Sequence, residues 1–239
     1  MTLLKPILYF SLFKYPLTEE EIFNFSKATS KEQIKLDLME LVNDDIIYKI
    51  DDFYLTENNE TLIKRRLEGN KMAKNIYQKA LTVSRLISKF PYVEGVGISG
   101  SLSKGYYDDD GDIDFFIITS PKRLWIARTF LILYKKIFLL NSRKYFCVNY
   151  FISSNALEIE EKNIFTATEL TTLLPMFGNG SFHKFYEKNK WVENYLPNKT
   201  VTEGLSKLNL VKKPTVTKIT EYFLDSKIGD WLDAAFLRI

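Results

Sequence analysis

Residues able to do chemistry concentrate between Gly100 and Phe116, in the run G-S-L-S-K-G-Y-Y-D-D-D-G-D-I-D-F-F. Val93 to Ser99 before it is apolar and β-branched, with small residues between. Phe115 to Thr119 after it is similar, so two strands should flank the run. Residues two apart on a strand share a face. Asp112 and Asp114 should therefore project together, with Ile113 turned to the other side. Two carboxylates held side by side repel unless a cation sits between them. Rigid oxygen donors suit Mg²⁺, with Mn²⁺ as the alternative, because such an ion takes one or two carboxylates together with substrate phosphates. Gly100 lets a phosphate approach the backbone closely. A turn into a short helix offers free N–H groups to an anion, and the Ser101 hydroxyl adds a donor. Lys104 and Gly105 complete the candidate phosphate contacts. For Lys104 an exposed loop position is an equal reading, and Tyr106 and Tyr107 read either as stacking platforms or as loop packing. A polyphosphate binder beside metal carboxylates is the minimum kit for phosphoryl or nucleotidyl transfer, where positioning and charge neutralisation dominate.

The G-S-x-x-x-G segment, the acidic loop and G-D-I-D together resemble the signature of the DNA polymerase beta-like nucleotidyltransferase superfamily. The resemblance covers Val93 to Thr119 and extends toward Asn149. It implies a mixed sheet flanked by helices, a nucleoside triphosphate substrate (ATP by default) and transfer of a nucleoside monophosphate to a hydroxyl acceptor. No polymerase accessory module is visible, which favours a small-molecule or protein acceptor over a polynucleotide. The resemblance also implies a third carboxylate on the neighbouring strand, and Asn149 occupies that place. Asparagine carries no charge and is a poor base. Either the strand alignment differs, or Asp108, Asp109, Asp110, Glu158 or Glu169 steps in, or the chain is a weak or inactive nucleotide-binding and docking protein.

The elements that must position this stretch can be read in order. Residues 2–13 form an apolar helix. Thr18 caps a second, with Glu21 completing a capping box. Ser30 caps a third, Lys31 to about Asn43, with Gln33 in the Glu21 role and Ile34, Leu38, Leu41 and Val42 inward. Residues 46–50 and 53–56 form a hairpin around Asp51-Asp52. Three helices and a hairpin resemble a winged helix-turn-helix. Its candidate reading helix mixes Lys31 and Lys35 with Glu32, Asp37, Glu40, Asp44 and Asp45, and the hairpin tip is acidic. Acidic surfaces repel phosphate, so DNA is disfavoured and residues 1–57 read instead as a protein-docking or intramolecular module. A regulator acting through this module is the runner-up function.

Residues 58–91 read as a connecting helix with Leu62, Leu67, Met72, Ile76, Leu81, Leu86 and Ile87 as its apolar stripe and Lys64-Arg65-Arg66 as a solvated basic cluster, or as a lure for an acidic ligand. The nucleotidyltransferase core spans 92–160, with a helix from Pro121 to Leu140 and a strand over 145–152. Within that helix Trp125, Phe130, Leu131 and Ile137 are the expected core. Residues 161–239 read as a helical region: a helix closed by Pro175, a turn at 177–181, a helix capped by Ser181, and one amphipathic helix from Lys218 to Ile239. That last helix has no C-terminal cap, so the chain continues in a longer protein or the helix packs on a partner. The expected fold class is α+β.

Composition narrows the alternatives. The 239 residues suffice for one large or two modest domains, and the net charge of +3 disfavours a general DNA-coating role. The single cysteine, Cys147, excludes an internal disulfide and reads as a buried apolar residue. The single histidine, His183, has no partner motif and reads as structural or surface. The N-terminus lacks a signal-peptide cleavage pattern. Leu124 to Leu140 is too short and too charged to span a membrane. A cytoplasmic, reduced protein is expected.

Overall fold

The computed structural model describes residues 3–199, 205 and 208–238. Thr2 and Ile239, the outer ends expected for the first and last helices, lie outside the described residues. The fold is α+β, built as two compact units that each draw on separate stretches of chain.

The first unit takes residues 1–72, 161–171 and 191–200. It opens with α1 (Leu4–Ser11), β1 (Leu17–Thr18), α2 (Glu19–Asn24) and α3 (Lys31–Asn43). A hairpin follows, β2 (Tyr48–Ile50) and β3 (Phe53–Leu55), and β1 joins it in an antiparallel sheet ordered β1-β3-β2. The short strand β1 was not anticipated. The expected capping box is present: Glu21 N–H donates to Thr18 Oγ1 at 3.3 Å and Thr18 N–H donates to Glu21 Oε2 at 2.9 Å. Ser30 caps α3 as expected, but the Gln33 side chain turns forward to Asp37 at 2.6 Å instead of back to the cap. Ile34 and Leu38 are fully buried with Ile7, Phe10, Leu17, Ile22 and Ile47, while Leu41 and Val42 pack at the edge of that cluster.

Arg66 corrects the reading of Lys64-Arg65-Arg66 as a solvated cluster. Its residue is 7% exposed, whereas Lys64 and Arg65 are exposed. It grips Glu21 with two nitrogens, at 2.8 and 2.9 Å, and also donates to the Pro16 carbonyl. Its guanidinium carbon lies 4.4 Å from the Tyr15 ring centre and 4.6 Å from that of Phe53. The planar guanidinium suits this combination of a bidentate pair and aromatic faces.

Arg66 lies on α4 (Glu60–Ile87), whose buried positions also depart from the expected stripe. Leu67 is exposed. The buried positions are Ile63, Gly69, Ala73, Ala80, Val83, Ser84 and Ile87. Small residues mark this face, and a search for large apolar ones misplaces its phase.

The second unit, residues 73–160, 172–190 and 201–239, holds a four-stranded mixed sheet. Its strands are β4 (Val93–Ile98), β5 (Asp114–Thr119), β6 (Cys147–Ser153) and β7 (Leu174–Gly178), in the order β6-β5-β4-β7. β4 runs antiparallel to β5 and β7, and β5 parallel to β6. The short α5 (Gly100–Ser103) joins β4 to β5, and α6 (Leu124–Phe138) makes the crossover from β5 to β6. β7 overturns the expectation that Pro175 closes a helix and that a turn begins at Phe177. The helix α7 (Ile164–Thr172) ends earlier, and Pro175 sits in an edge strand opposite Gly97, where its missing N–H is tolerated.

Glycines on β4 admit the next helix. A Cβ at Gly97 would lie 3.1 Å from the Phe182 ring and one at Gly95 2.7 Å from Ser181 Oγ. Phe182 opens α8 (Ser181–Lys188), so the helix packs directly on bare backbone. The cap of α8 is Gly180 at φ 87°, not Ser181, whose hydroxyl donates to the Glu94 carbonyl at 3.2 Å.

The expected C-terminal helix is two, α9 (Thr215–Leu224) and α10 (Lys227–Phe236), broken at Asp225-Ser226. A Cβ at Gly229 would overlap the Leu224 carbonyl, so the corner needs glycine there. Arg123, buried before α6, holds the corner through Asp230 at 2.6 Å, and Asp233 accepts from the Ile126 N–H at 2.9 Å. Leu232 and Phe236 pack on Tyr92, Ile126 and Ala127, whereas Tyr222, Phe223, Ile228 and Trp231 face solvent. On α6, Leu131 is buried, Trp125 and Phe130 are half-buried, and Ile137 is exposed rather than core. Among the described residues no helix is long and apolar enough to cross a membrane.

Candidate functional site

β4, α5 and the start of β5 build one compact corner. Gly100 leaves β4 at φ 67°, a conformation that L side chains rarely adopt. A Cβ on Gly100 would overlap the Asp114 carboxylate. Glycine is therefore required twice, by backbone and by the carboxylate seated against it. The Ser99 N–H donates to the Asp114 carbonyl at 2.9 Å, which locks the end of β4 to the start of β5.

The second glycine of the motif has a different job. Gly105, at φ 75°, donates its N–H to the Leu102 carbonyl at 3.0 Å, and the Tyr106 N–H reaches Ser101 at 3.1 Å. Together these bonds form a Schellman closure of α5. Ser101 is exposed on the first turn, and Ser103 is buried with its hydroxyl on the Gly100 carbonyl at 2.8 Å. Lys104 folds back, its ammonium on that same carbonyl at 3.0 Å.

The acidic loop is a turn closed by Gly111 N–H donating to Asp108 at 3.0 Å. Tyr107 is 4% exposed, and its hydroxyl donates to the Gly111 carbonyl at 2.9 Å, so it packs the loop and offers no stacking face. Tyr106 is half-buried and donates to Asp108 at 3.2 Å.

Asp112 and Asp114 do project to one side, with Ile113 fully buried between them. The side chain that joins them is Cys147. It pairs directly with Asp114 across the parallel β5–β6 ladder, and its sulfur and one oxygen from each aspartate lie within 4.8 Å of one another. Burial, then the hydrogen bond and charge of Asp114, then Asp112, push the Cys147 thiol up from 9.0 to about 12. Asn149 is elsewhere. The ladder pairs Phe115 with Val148 but Phe116 with Tyr150, leaving Asn149 in the irregularity, exposed to solvent. Such an extra residue re-aims side chains. Among the described residues, neither Asp108, Asp109, Asp110 nor Glu158 joins the group of Asp112, Asp114 and Cys147. Glu158 follows the far end of β6, and Glu169 belongs to the first unit. His183 is exposed on α8.

Position-by-position reading found the two aspartates and Gly100. It missed Cys147, whose only local signal was its place at the start of a strand following D-I-D.

The donor set bears on what this corner can hold. Two carboxylates fit a hard divalent cation. The thiol is a softer donor, better matched to later first-row metals than to Mg²⁺. Comparison with protein-family models, curated proteins and solved structures finds no match for this chain.

Proposed function

We propose that the chain is a divalent-metal-dependent nucleotidyltransferase of the DNA polymerase beta-like type. It moves a nucleoside monophosphate from a nucleoside triphosphate to a hydroxyl on a small molecule or protein. The observation that carries this reading is the seat of the Asp114 carboxylate against Gly100, with Asp112 beside it. A glycine turn and a carboxylate pair thereby share one corner.

In this reading the oxygens of Asp112 and Asp114 hold Mg²⁺ or Mn²⁺. A cation bound there supplies neutralisation of the phosphate charge. Gly100, lacking a side chain, lets the Asp114 carboxylate seat against the turn, and exposed Ser101 offers its hydroxyl to the triphosphate. Lys104 holds the Gly100 carbonyl, so its role is to shape the turn. The acceptor oxygen bonds to the α-phosphorus as the α–β anhydride breaks, pyrophosphate leaves and the hydroxyl proton passes to solvent.

Calorimetric titration of ATP and the other triphosphates, with and without Mg²⁺ or Mn²⁺, tests the reading. Wild type should bind in a metal-dependent manner. Asp112→Asn should lose that binding, and Gly100→Ala should lose it too, because its Cβ displaces Asp114. No binding of any triphosphate to folded wild type overturns the proposal.

A second reading is supported by the third side chain beside Asp112 and Asp114, which among the described residues is Cys147 and not a carboxylate. It makes the chain a weak or inactive nucleotide-binding protein that acts by docking, through a winged-helix-like first unit. The order α1-β1-α2-α3-β2-β3 supports that likeness. Leu36 and Met39 on α3, 61% and 54% exposed, support the docking role. Partner binding that survives Asp112→Asn, without turnover of α-labelled nucleotide, favours this second reading.

A further inference from the structure

At the opposite end of the sheet, where β5 and β6 finish and β4 begins, the second unit carries an open cavity of about 800 Å³. That size is typical of small-ligand pockets. Its wall gathers Lys184 from α8, Lys212 and Lys213 from the segment before α9, and Lys218 from α9. Two carboxylates, Glu94 and Glu221, also line it.

The charges do not cancel. Glu221 is spent on the wall itself: it accepts from the Tyr92 N–H at 2.6 Å and pairs with the Lys213 ammonium. That leaves Lys184, Lys212 and Lys218 against Glu94, and no bonding partner is found for these three ammonium groups among the described residues. The wall is also held in place. Asn179 Oδ1 accepts from the Val211 N–H at 3.0 Å, fixing the segment that carries Lys212. α8 adds a further positive element. Its first turn lines the cavity, its Gly180 cap supplies no side-chain acceptor for the first-turn N–H groups, and helix N-termini favour anions. Ligands of sheets with parallel strands also tend to bind beyond the strands' carboxyl ends, where this cavity lies.

We propose that this cavity binds a small phosphorylated anion through Lys184, Lys212 and Lys218. It is separate from the Asp112–Asp114 corner: the six residues of β5, at about 3.3 Å each, put roughly 20 Å between them. The assignment does not depend on the nucleotidyltransferase reading.

The test is calorimetric titration of the full chain, without divalent metal, with inorganic pyrophosphate and separately with glucose 6-phosphate. Metal-free pyrophosphate is repelled by the aspartate pair, so saturable 1:1 binding reports on the lysine cavity. Binding should weaken as salt rises. Each single change, Lys184→Ala, Lys212→Ala or Lys218→Ala, should weaken it roughly threefold, and the triple change about 30-fold. Pyrophosphate ahead of the sugar phosphate marks a polyphosphate ligand, the reverse order marks a phosphomonoester, and both support the site. Because the three lysines are exposed, the variants should keep the wild-type circular dichroism and melting curve. Lys212→Glu alone, which reverses charge at one surface position, serves as a second check. Saturable binding by neither probe, or binding that the triple and Lys212→Glu variants leave intact, overturns the proposal.

Discussion

Two side chains show how much a residue's neighbours change its chemistry. Cys147 reads as an inert apolar residue by type, yet burial disfavours its thiolate, and the two carboxylates it faces add to this. A thiol whose folded pKa is raised to about 12 keeps its proton where the unfolded chain has lost it. Its stabilising contribution is therefore whole below about 9 and is lost as pH rises toward about 12. Native-state alkylation by iodoacetamide should accelerate through pH 10 without the inflection near 8.5–9 that the urea-unfolded chain shows. Asp112→Asn should speed it at fixed pH. An inflection near 8.5 in the folded wild type would sink this account. Arg66 is the second case. Its pair with Glu21 also anchors the capping box of α2, so removing the cation strands a partly buried carboxylate and empties the space between two rings. Arg66→Ala should cost about 3 kcal/mol in urea unfolding. Arg66→Lys should recover only part of it, because an ammonium cannot make the bidentate grip. A loss below about 0.5 kcal/mol would mean the pair is merely a surface bridge.

At the scale of elements, the sheet of the second unit depends on close approach. α8 meets β4 where Gly95 and Gly97 present backbone, and Phe182 fills the space. Gly97→Val would push the ring and the β7 backbone away, since the hypothetical Cβ already lies 3.3 Å from the Leu174 carbonyl. Thermal unfolding should drop by several degrees, consistent with an overpacking cost of about 1–3 kcal/mol. An unchanged melting temperature would show that α8 floats on the sheet. The same elements explain the two ends of β5. One end brings D-I-D against the Gly100 turn, and the other opens into the lysine cavity.

At the scale of the whole molecule, charge and chain path matter more than any one contact. The formal charge of +3 is small, and the surface of α3 and the β2–β3 hairpin is acidic: Glu32, Glu40, Asp44, Asp45, Asp51 and Asp52 are all exposed. Duplex DNA should therefore show no salt-dependent mobility shift at low micromolar protein. A shift that fades between 50 and 200 mM salt would restore a DNA-reading role to the first unit. Chain path sets the unit boundaries. Residues 161–171 and 191–200 return to the first unit, while 172–190 supplies β7 and α8 to the second. Each unit is completed by chain far from its start.

What the sequence determined by itself is what depends on neighbours along the chain. The Thr18–Glu21 box links residues three apart, the helix face of Ile34 and Leu38 follows from period 3.6, and the common side of Asp112 and Asp114 follows from a spacing of two where the chain enters β5 at Asp114. Each rests on i to i+2, i+3 or i+4 geometry, which no distant partner has to supply. The structure alone decided which strand lies beside which, and in what register. The β5–β6 register sets Cys147, not Asn149, opposite Asp114, and the irregularity after Phe115 leaves Asn149 unpaired. Pro175 hid β7 because its tolerance depends on an edge position that only the assembled sheet defines. Arg66 looked like one more solvated cation because Glu21, Tyr15 and Phe53 lie 45, 51 and 13 positions away in the chain. Long-range partners are chosen by packing and burial, and those free-energy terms exist only once the chain has closed on itself.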